Sequence, residues 1–507
     1  MTSVLTLPVR PPSPGKLVER PGAVGVAALV GALMWLPNLA RPLSSDEGGF
    51  LLIASQWSPG TSLYGDYWVD RPPLLVGIFQ LADLGGGLLA LRLIGLLAVV
   101  VSVLLAGRIG HLAAPGVRRA PVLVAATAAV FMTTPLFGTS EVDGELLAVP
   151  FVLASVLCSL LALQAVPPAR TRQRPRWSWW TVAGASAMAA PLVKQSMVDG
   201  FVLAATVILW LLTRRRNSDA LQATTSFVLG AGGLLGTVLA WAATRGTDPA
   251  GLWNAVVVFR ADAAAVISAQ ANSATPGRAM SLTVSFIASG ALVLVVLAFV
   301  PRRLLTGSPD QRTAAMTHPD MRLLAGAVLA WETFGIAFGG SYWLHYLIGL
   351  VPGLVLATTA LALRGPARVP SATAVLAYAG VVGVISTAGL ALHDRTVPSD
   401  VEVARYLSAH KSPGDTGVIA FGNPAILQAA GLTSPYQQLW SLPVRVLDPN
   451  LTEFTHAISG PHAPTWAVVN GTSLATWGVN TSRAQPVFDR QYRLVEVARD
   501  YFVYHLR

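Results

Sequence analysis

The sequence predicts an all-α polytopic membrane protein of about 11 transmembrane helices, closed at its C-terminal end by a small α/β domain. Three observations carry this expectation. Of 507 residues, 53% are hydrophobic and 12% charged, about half the charged share of an ordinary soluble domain. Apolar runs of about 18 to 22 residues recur, each long enough to cross a bilayer core of roughly 30 Å as a helix. From residue 392 the composition turns to ordinary polarity. The runs are too long and continuous for barrel strands, and helices are the other structure that satisfies the backbone in lipid.

Residues 1–21 are Pro-rich and cationic, the composition of a disordered tail. Spans follow at 22–40, 86–107, 120–138, 146–165, 178–193, 198–213, 222–243, 281–300, 323–340, 346–363 and 371–391. No small-residue cleavage site follows the first, which reads as a retained anchor. Counting Lys and Arg on alternate sides gives 19 on the N-terminal side, among them Arg118, Arg119, Arg214, Arg215 and Arg216, against six between spans on the other. The positive-inside rule then sets the N-terminus in the cytoplasm and residues 392–507 outside, in a bacterial cytoplasmic membrane. The net charge of +10 is thereby a topology signal, and a nucleic-acid partner is not expected. The single cysteine, Cys158, lies within a span and excludes an intrachain disulfide. In the tail, "SDVEVARYLSAH" has a helical pattern, "TGVIAF" and "TWAVVN" read as strands, and "YRLVEVARDYFVYHL" as a hairpin. There is no phosphate-binding glycine loop and no CxxC pair.

Acidic residues gather on the outer side: Asp46, Glu47, Asp66, Asp70 and Asp83 in the first loop, Glu141, Asp143 and Glu145 in the second, then Asp199, Asp248 and Asp262. For Glu141, Glu145, Asp199 and Asp248, solvated loop charge is a sufficient reading. Asp46 is different, because it follows a span end and precedes "GGFLLIASQW", where Phe50, Ala54 and Trp57 fall on one face of a short amphipathic helix suited to the membrane interface. A carboxylate at such a boundary is poorly hydrated, which makes it a better base.

The outer loop 41–73 continues "SLYGDYWVDRPPLLVGIF". Tyr64, Tyr67 and Trp68 suit the headgroup level. Pro72 and Pro73 forbid a helix before them and favour one after. Arg71, fixed just ahead of them, presents a planar fork of donors suited to a phosphate. Lys194, Arg260 and His345 reach the same side from other loops, each with an alternative reading as an interface residue.

"SSDEGGFLLIASQW", "DRPPLLVGIF" and "LALRLIGLLAVVVSVLLAGRIG" together resemble the start of a C-type (GT-C) polytopic glycosyltransferase of the dolichyl-phosphate-mannose protein mannosyltransferase and aminoarabinose lipid A transferase superfamily. "TSEVDGELLAVPFVLA" resembles its second acidic loop, "PLVKQSMVDG" its lysine turn and "SYWLHYLIGLVPGLVLA" its late helix. The resemblance covers most of residues 20–365. It implies a GT-C-like catalytic domain over 22–391 and inverting transfer of a sugar from a polyprenyl-phosphate donor to a lipid, glycan or protein hydroxyl on the outer face. Carried over, Asp46 is the general base with Glu47 beside it, and Asp143 positions a sugar. Arg71, Lys194 and Arg260 hold the lipid phosphate with help from His345 or Tyr346, and Asp70, Tyr64 and Glu332 are cavity candidates. The family usually has Lys where Arg71 stands. Arginine binds phosphate equally well but is a poor proton donor. No cofactor is required, although Asp46, Glu47 and Asp143 offer oxygen ligands for a divalent ion.

A secondary transporter or lipid flippase with an outer interaction domain is the alternative. Such proteins carry functional charges near the bilayer midplane and show repeated halves. Here the halves differ and the charges gather at one surface, with Glu332 in "LAWETFGIAF" the exception.

Overall fold

The computed structural model describes residues 22–57, 67–164, 176–269, 274–300, 319–364, 369–393 and 397–507. Tyr64, Asp66 and the expected tail 1–21 lie outside the described residues. The chain is a multi-pass membrane protein: each of the eleven expected spans falls on helix. Among the described residues, eight helices are long and apolar enough to cross a membrane, or nine if one bent pair is a single span, with shorter apolar helices at Pro73–Leu84, Ala120–Phe131 and Asp199–Thr213.

Two expectations need correction. Residues 281–300 form not one helix but two, Ala274–Ala288 and Ala291–Phe299, meeting at 63°. The break falls at Gly290, whose φ of 78° is open to glycine and costly for other residues. Residues 249–269, expected as loop, form a 21-residue apolar helical run, Pro249–Ala269, which lifts Arg260 out of a loop and onto a helix.

The bundle is organised around Leu344–Ala362, 83% buried, whereas Val369–Leu392 lies at the edge, 17% buried. Small residues allow two of its helices a close approach. A Cβ on Gly184 would lie 1.9 Å from the Phe227 carbonyl oxygen, and one on Gly230 would lie 1.9 Å from that of Thr181. Helices Arg176–Val193 and Asn217–Thr244 therefore touch backbone to backbone, as membrane helices do through small residues.

The tail is α/β as predicted. Helix Ser399–His410 precedes a four-stranded sheet of β1 (Gly417–Ala420), β2 (Trp466–Asn470), β3 (Tyr492–Ala498) and β4 (Tyr501–Leu506), in the order β1-β2-β4-β3. β1 and β2 are parallel, and the β3–β4 hairpin adds antiparallel on β2, with Val468 opposite Val503.

The tail does not stand clear of the bundle. Helix Ser45–Gln56, expected to lie in the membrane interface, is buried from Glu47 to Ala54, between the Pro73–Leu84 helix and the tail. Its two glycines explain the burial. A Cβ on Gly48 would lie 2.3 Å from the Ala425 Cα, and one on Gly49 would lie 2.1 Å from Cζ2 of Trp440. Ser45 Oγ donates to the Gly422 carbonyl at 3.0 Å, and the Trp440 ring stands 5.5 Å from that of Phe50. Tyr67, expected at the headgroups, is 3% exposed, and its hydroxyl accepts from the Ser434 N–H at 2.8 Å.

This docking generates a prediction. Gly49→Val should overpack the contact by about 1–3 kcal/mol, lowering Tm in detergent and opening the tail to protease, and Trp440→Ala in the same chain should recover part of the loss. A Gly49→Val protein as stable and protease-resistant as wild type would contradict the close docking.

Candidate active site

Glu47 sits in the first turn of helix Ser45–Gln56. Its Oε2 accepts from the Ser44 N–H at 2.9 Å while Ser44 Oγ accepts from the Glu47 N–H at 3.3 Å, a reciprocal cap of the helix start. The same carboxylate is ion-paired with Arg92, whose Nη2 donates to Oε2 at 2.9 Å, and its Oε1 accepts from the Val142 N–H at 2.7 Å. Arg92 also donates to the carbonyls of Pro42 (3.0 Å) and Ser140 (3.3 Å). Both side chains are 1% exposed. Every oxygen of Glu47 is thus engaged in structure, so the role expected for it beside Asp46 corrects to that of a bolt joining the first loop to the second. Arg92 was missed by the sequence reading. Its signal was available: a lone arginine inside the apolar run "LALRLIGLLAVV" needs an acidic partner.

Asp46, one residue earlier on the helix, is half-buried, and its negative charge reaches Arg71 and His345. Arg71 lies with its guanidinium 5.8 Å from the Phe50 ring centre and donates to Asp70 Oδ1 at 2.7 Å. Asp70 Oδ2 meets Arg260 Nη2 at 2.5 Å. Burial pushes Asp70 upward, but Arg71, Arg260 and Lys194 outweigh it and hold its carboxyl below the usual range. Helix Pro73–Leu84 begins at the prolines, as expected, and fixes the segment that carries both residues.

The second acidic loop faces this group. Lys194 leaves the end of helix Arg176–Val193 and meets Glu145 Oε1 at 2.8 Å, with its ammonium 5.6 Å from the Tyr346 ring centre. His345 Nδ1 stands 3.6 Å from Asp143 Oδ2. Gly138 permits that approach, since a Cβ there would lie 2.6 Å from the His345 backbone nitrogen. Burial and the adjacent Glu145 push the Asp143 carboxyl well above the usual range. Glu141, half-buried near Ser44, is pushed up to about 7 by burial and by Glu47 and Asp46.

Of the expected site residues, Asp46, Asp70, Arg71, Asp143, Lys194, Arg260, His345 and Tyr346 therefore form one cluster from six separate segments. Glu145, expected as solvated charge, belongs to it and is 3% exposed. Asp199 is a second correction: it is fully buried against Glu332, whose Oε2 fills the space a side chain at Gly349 would take. Asp248 is exposed, as expected, and caps helix Pro249–Trp253.

Asp143, Glu145 and His345 each offer a ligand atom within 4.8 Å of the others. Asp143 Oδ2 and Glu145 Oε2 are buried without a hydrogen-bond donor among the described residues, so this trio fits a divalent ion better than the expected Asp46, Glu47 and Asp143, because Glu47 is committed to Arg92. Lys194 already brings positive charge to the same carboxylates.

No family model matches the chain, and no curated protein matches it by sequence. Solved structures do match in fold. ArnT from Cupriavidus metallidurans bound to undecaprenyl phosphate aligns with a TM-score of 0.61 at 13% identity, covering 95% of this chain and 98% of that one. The apo state of the same protein aligns equally well, covering 97% of that chain. The Archaeoglobus fulgidus oligosaccharyltransferase in complex with zinc and sulfate aligns more loosely, with a TM-score of 0.48 at 13% identity over 96% of this chain and 73% of that one. The chain has a GT-C-type fold.

The bolt has a measurable consequence. Arg92→Met should cost about 3–5 kcal/mol by leaving Glu47 charged and buried, seen as a lower Tm in detergent. Combining it with Glu47→Gln should restore much of the stability. A single variant that unfolds like wild type would rule out the pair as a structural bolt.

Proposed function

We propose that the protein is an integral-membrane glycosyltransferase that moves a sugar from a polyprenyl-phosphate donor to an acceptor hydroxyl, with inversion, on the outer face of the cytoplasmic membrane. The observation that carries this reading is the placement of a half-buried carboxylate, Asp46, whose charge reaches Arg71, beside the cluster that Arg71, Lys194 and Arg260 form with Asp70 and Glu145. The fold supports it, because ArnT, which shares that fold, binds undecaprenyl phosphate. The arginine distribution supports the orientation, with the N-terminus cytoplasmic and the tail outside.

The chemistry follows from the residues. The lipid tail of the donor stays in the bilayer, and its phosphate sits at the surface beside Arg71, Lys194 and Arg260. Asp46 accepts the proton of the acceptor hydroxyl as that oxygen bonds to the anomeric carbon. The bond from the anomeric carbon to the phosphate oxygen breaks on the opposite side, and its electron pair stays on the phosphate, where the cations stabilise it. One displacement inverts the anomeric centre. Asp143, held beside His345, is suited to accept a hydrogen bond from the sugar or the acceptor. An activated lipid-linked sugar needs no nucleotide-binding loop, consistent with the absence of one in the sequence. A divalent ion on Asp143, Glu145 and His345 would add positive charge near the phosphate. The tail, docked on the helix that carries Asp46, is available to the acceptor, which is a lipid, a glycan or a protein.

The test is donor consumption. Wild type and Asp46→Asn proteins are given a panel of polyprenyl-phosphate sugars with membrane extract as acceptor, and free polyprenyl phosphate is followed by mass spectrometry. Wild type should consume one donor, and Asp46→Asn should be slower by roughly 10²–10⁴-fold, the range of a general base. Equal rates would remove Asp46 as the base. If Glu332→Gln abolished function while Asp46→Asn did not, the transporter reading would replace this one.

A further inference from the structure

In the reaction proposed above, on which this inference rests, Asp70 has no part, yet it holds both guanidiniums of the phosphate group. One carboxylate oxygen takes Arg71 at 2.7 Å and the other takes Arg260 at 2.5 Å. The side chain is 16% exposed. Its backbone is fixed, since the Asp70 carbonyl accepts from Gln195 Nε2 at 2.5 Å, the Trp68 N–H donates to Gln437 O at 3.1 Å, and two prolines follow. Arginines from two distant segments thus converge on one small anion. A phosphate offers guanidinium groups the same charged oxygen acceptors.

We propose that Asp70 is a built-in counter-anion that occupies the phosphate subsite between turnovers and displaces polyprenyl phosphate after transfer. The charge balance makes such a device useful. The donor is a phosphodiester with one negative charge. When its bond to the anomeric carbon breaks, the electron pair stays on the phosphate, the acceptor proton passes to Asp46, and the leaving lipid phosphate is a monoester able to carry a second charge. Arg71 and Arg260 hold this product more strongly than the donor, which makes its departure the step at risk. Asp70, tethered beside both arginines, competes at high effective concentration. Lys194, the other cation facing Asp70, is paired with Glu145 and stays with the second loop.

The alternative is that Asp70 merely orients the arginines, and the two roles predict opposite signs. Asp70→Asn keeps the shape and removes the charge. Binding of undecaprenyl phosphate to purified protein in micelles is measured by calorimetry. Failure of wild type to bind would sink the underlying reading, whatever Asp70 does. With wild-type binding established, Asp70→Asn should bind about tenfold more tightly or better, on the order of one lost competing charge-assisted contact, and turnover should slow after a normal first cycle. Unchanged or weaker binding overturns the proposal. A second arm uses Arg260→Gln, at a 41% exposed side chain: alone it should weaken binding, and adding Asp70→Asn should tighten it again. A double variant no tighter than Arg260→Gln would count against displacement, because a competitor's removal must help whichever arginine remains.

Discussion

The ion pair between Glu47 and Arg92 is the constraint on which the rest of the site depends. Two charges at 1% exposure would each cost several kcal/mol in desolvation if left alone. Here the carboxylate also accepts from two backbone N–H groups, and the guanidinium also donates to two carbonyls. Those bonds come from residues 42, 44, 140 and 142, so one pair fixes the start of helix Ser45–Gln56, the second acidic loop and the Leu88–Ala113 helix together. Asp46 inherits its position from this joint. Because consecutive helical residues are about 100° apart, bolting Glu47 inward leaves Asp46 facing the cationic group.

The tail closes the same helix from the other side. Gly48 and Gly49 let Ala425 and Trp440 come against backbone where any side chain would stand them off. A carboxylate held between a buried ion pair and a docked domain has little freedom to wander, which is the preorganisation that the proposed proton transfer would require. The "DEGG" stretch thus contains three functions in four residues: a group facing the cations, a bolt, and two contacts for the tail.

Much of the architecture was legible in the sequence because its signals are local. Span-length apolar runs, the change of composition near residue 392 and the strand patterns at "TGVIAF" and "TWAVVN" depend on neighbours within one element. Asp46, Arg71 and Lys194 were legible as candidates from their positions at span ends. What the sequence withheld was pairing. Glu47 and Glu145 look like any loop acid until Arg92 and Lys194 are brought to them from 45 and 49 residues away. Asp199 reads as solvated until Glu332 arrives from a different helix. The aromatic residues Tyr67 and Trp68 carry the composition of a membrane belt, and only the docking of the tail, together with the 4.3 Å approach of Phe259 to Trp68, shows that they line a domain contact instead.

The central claim is that a lipid phosphate sits at the Arg71 end of the bundle within reach of Asp46. The most direct measurement is an experimental structure of the protein in a lipid nanodisc with undecaprenyl phosphate. The account predicts phosphate density in contact with Arg71 and Arg260, on the side of them that faces Asp46, with the lipid chain running into the bilayer. Phosphate density at the opposite end of the bundle, near Arg176 and Arg216, would contradict it.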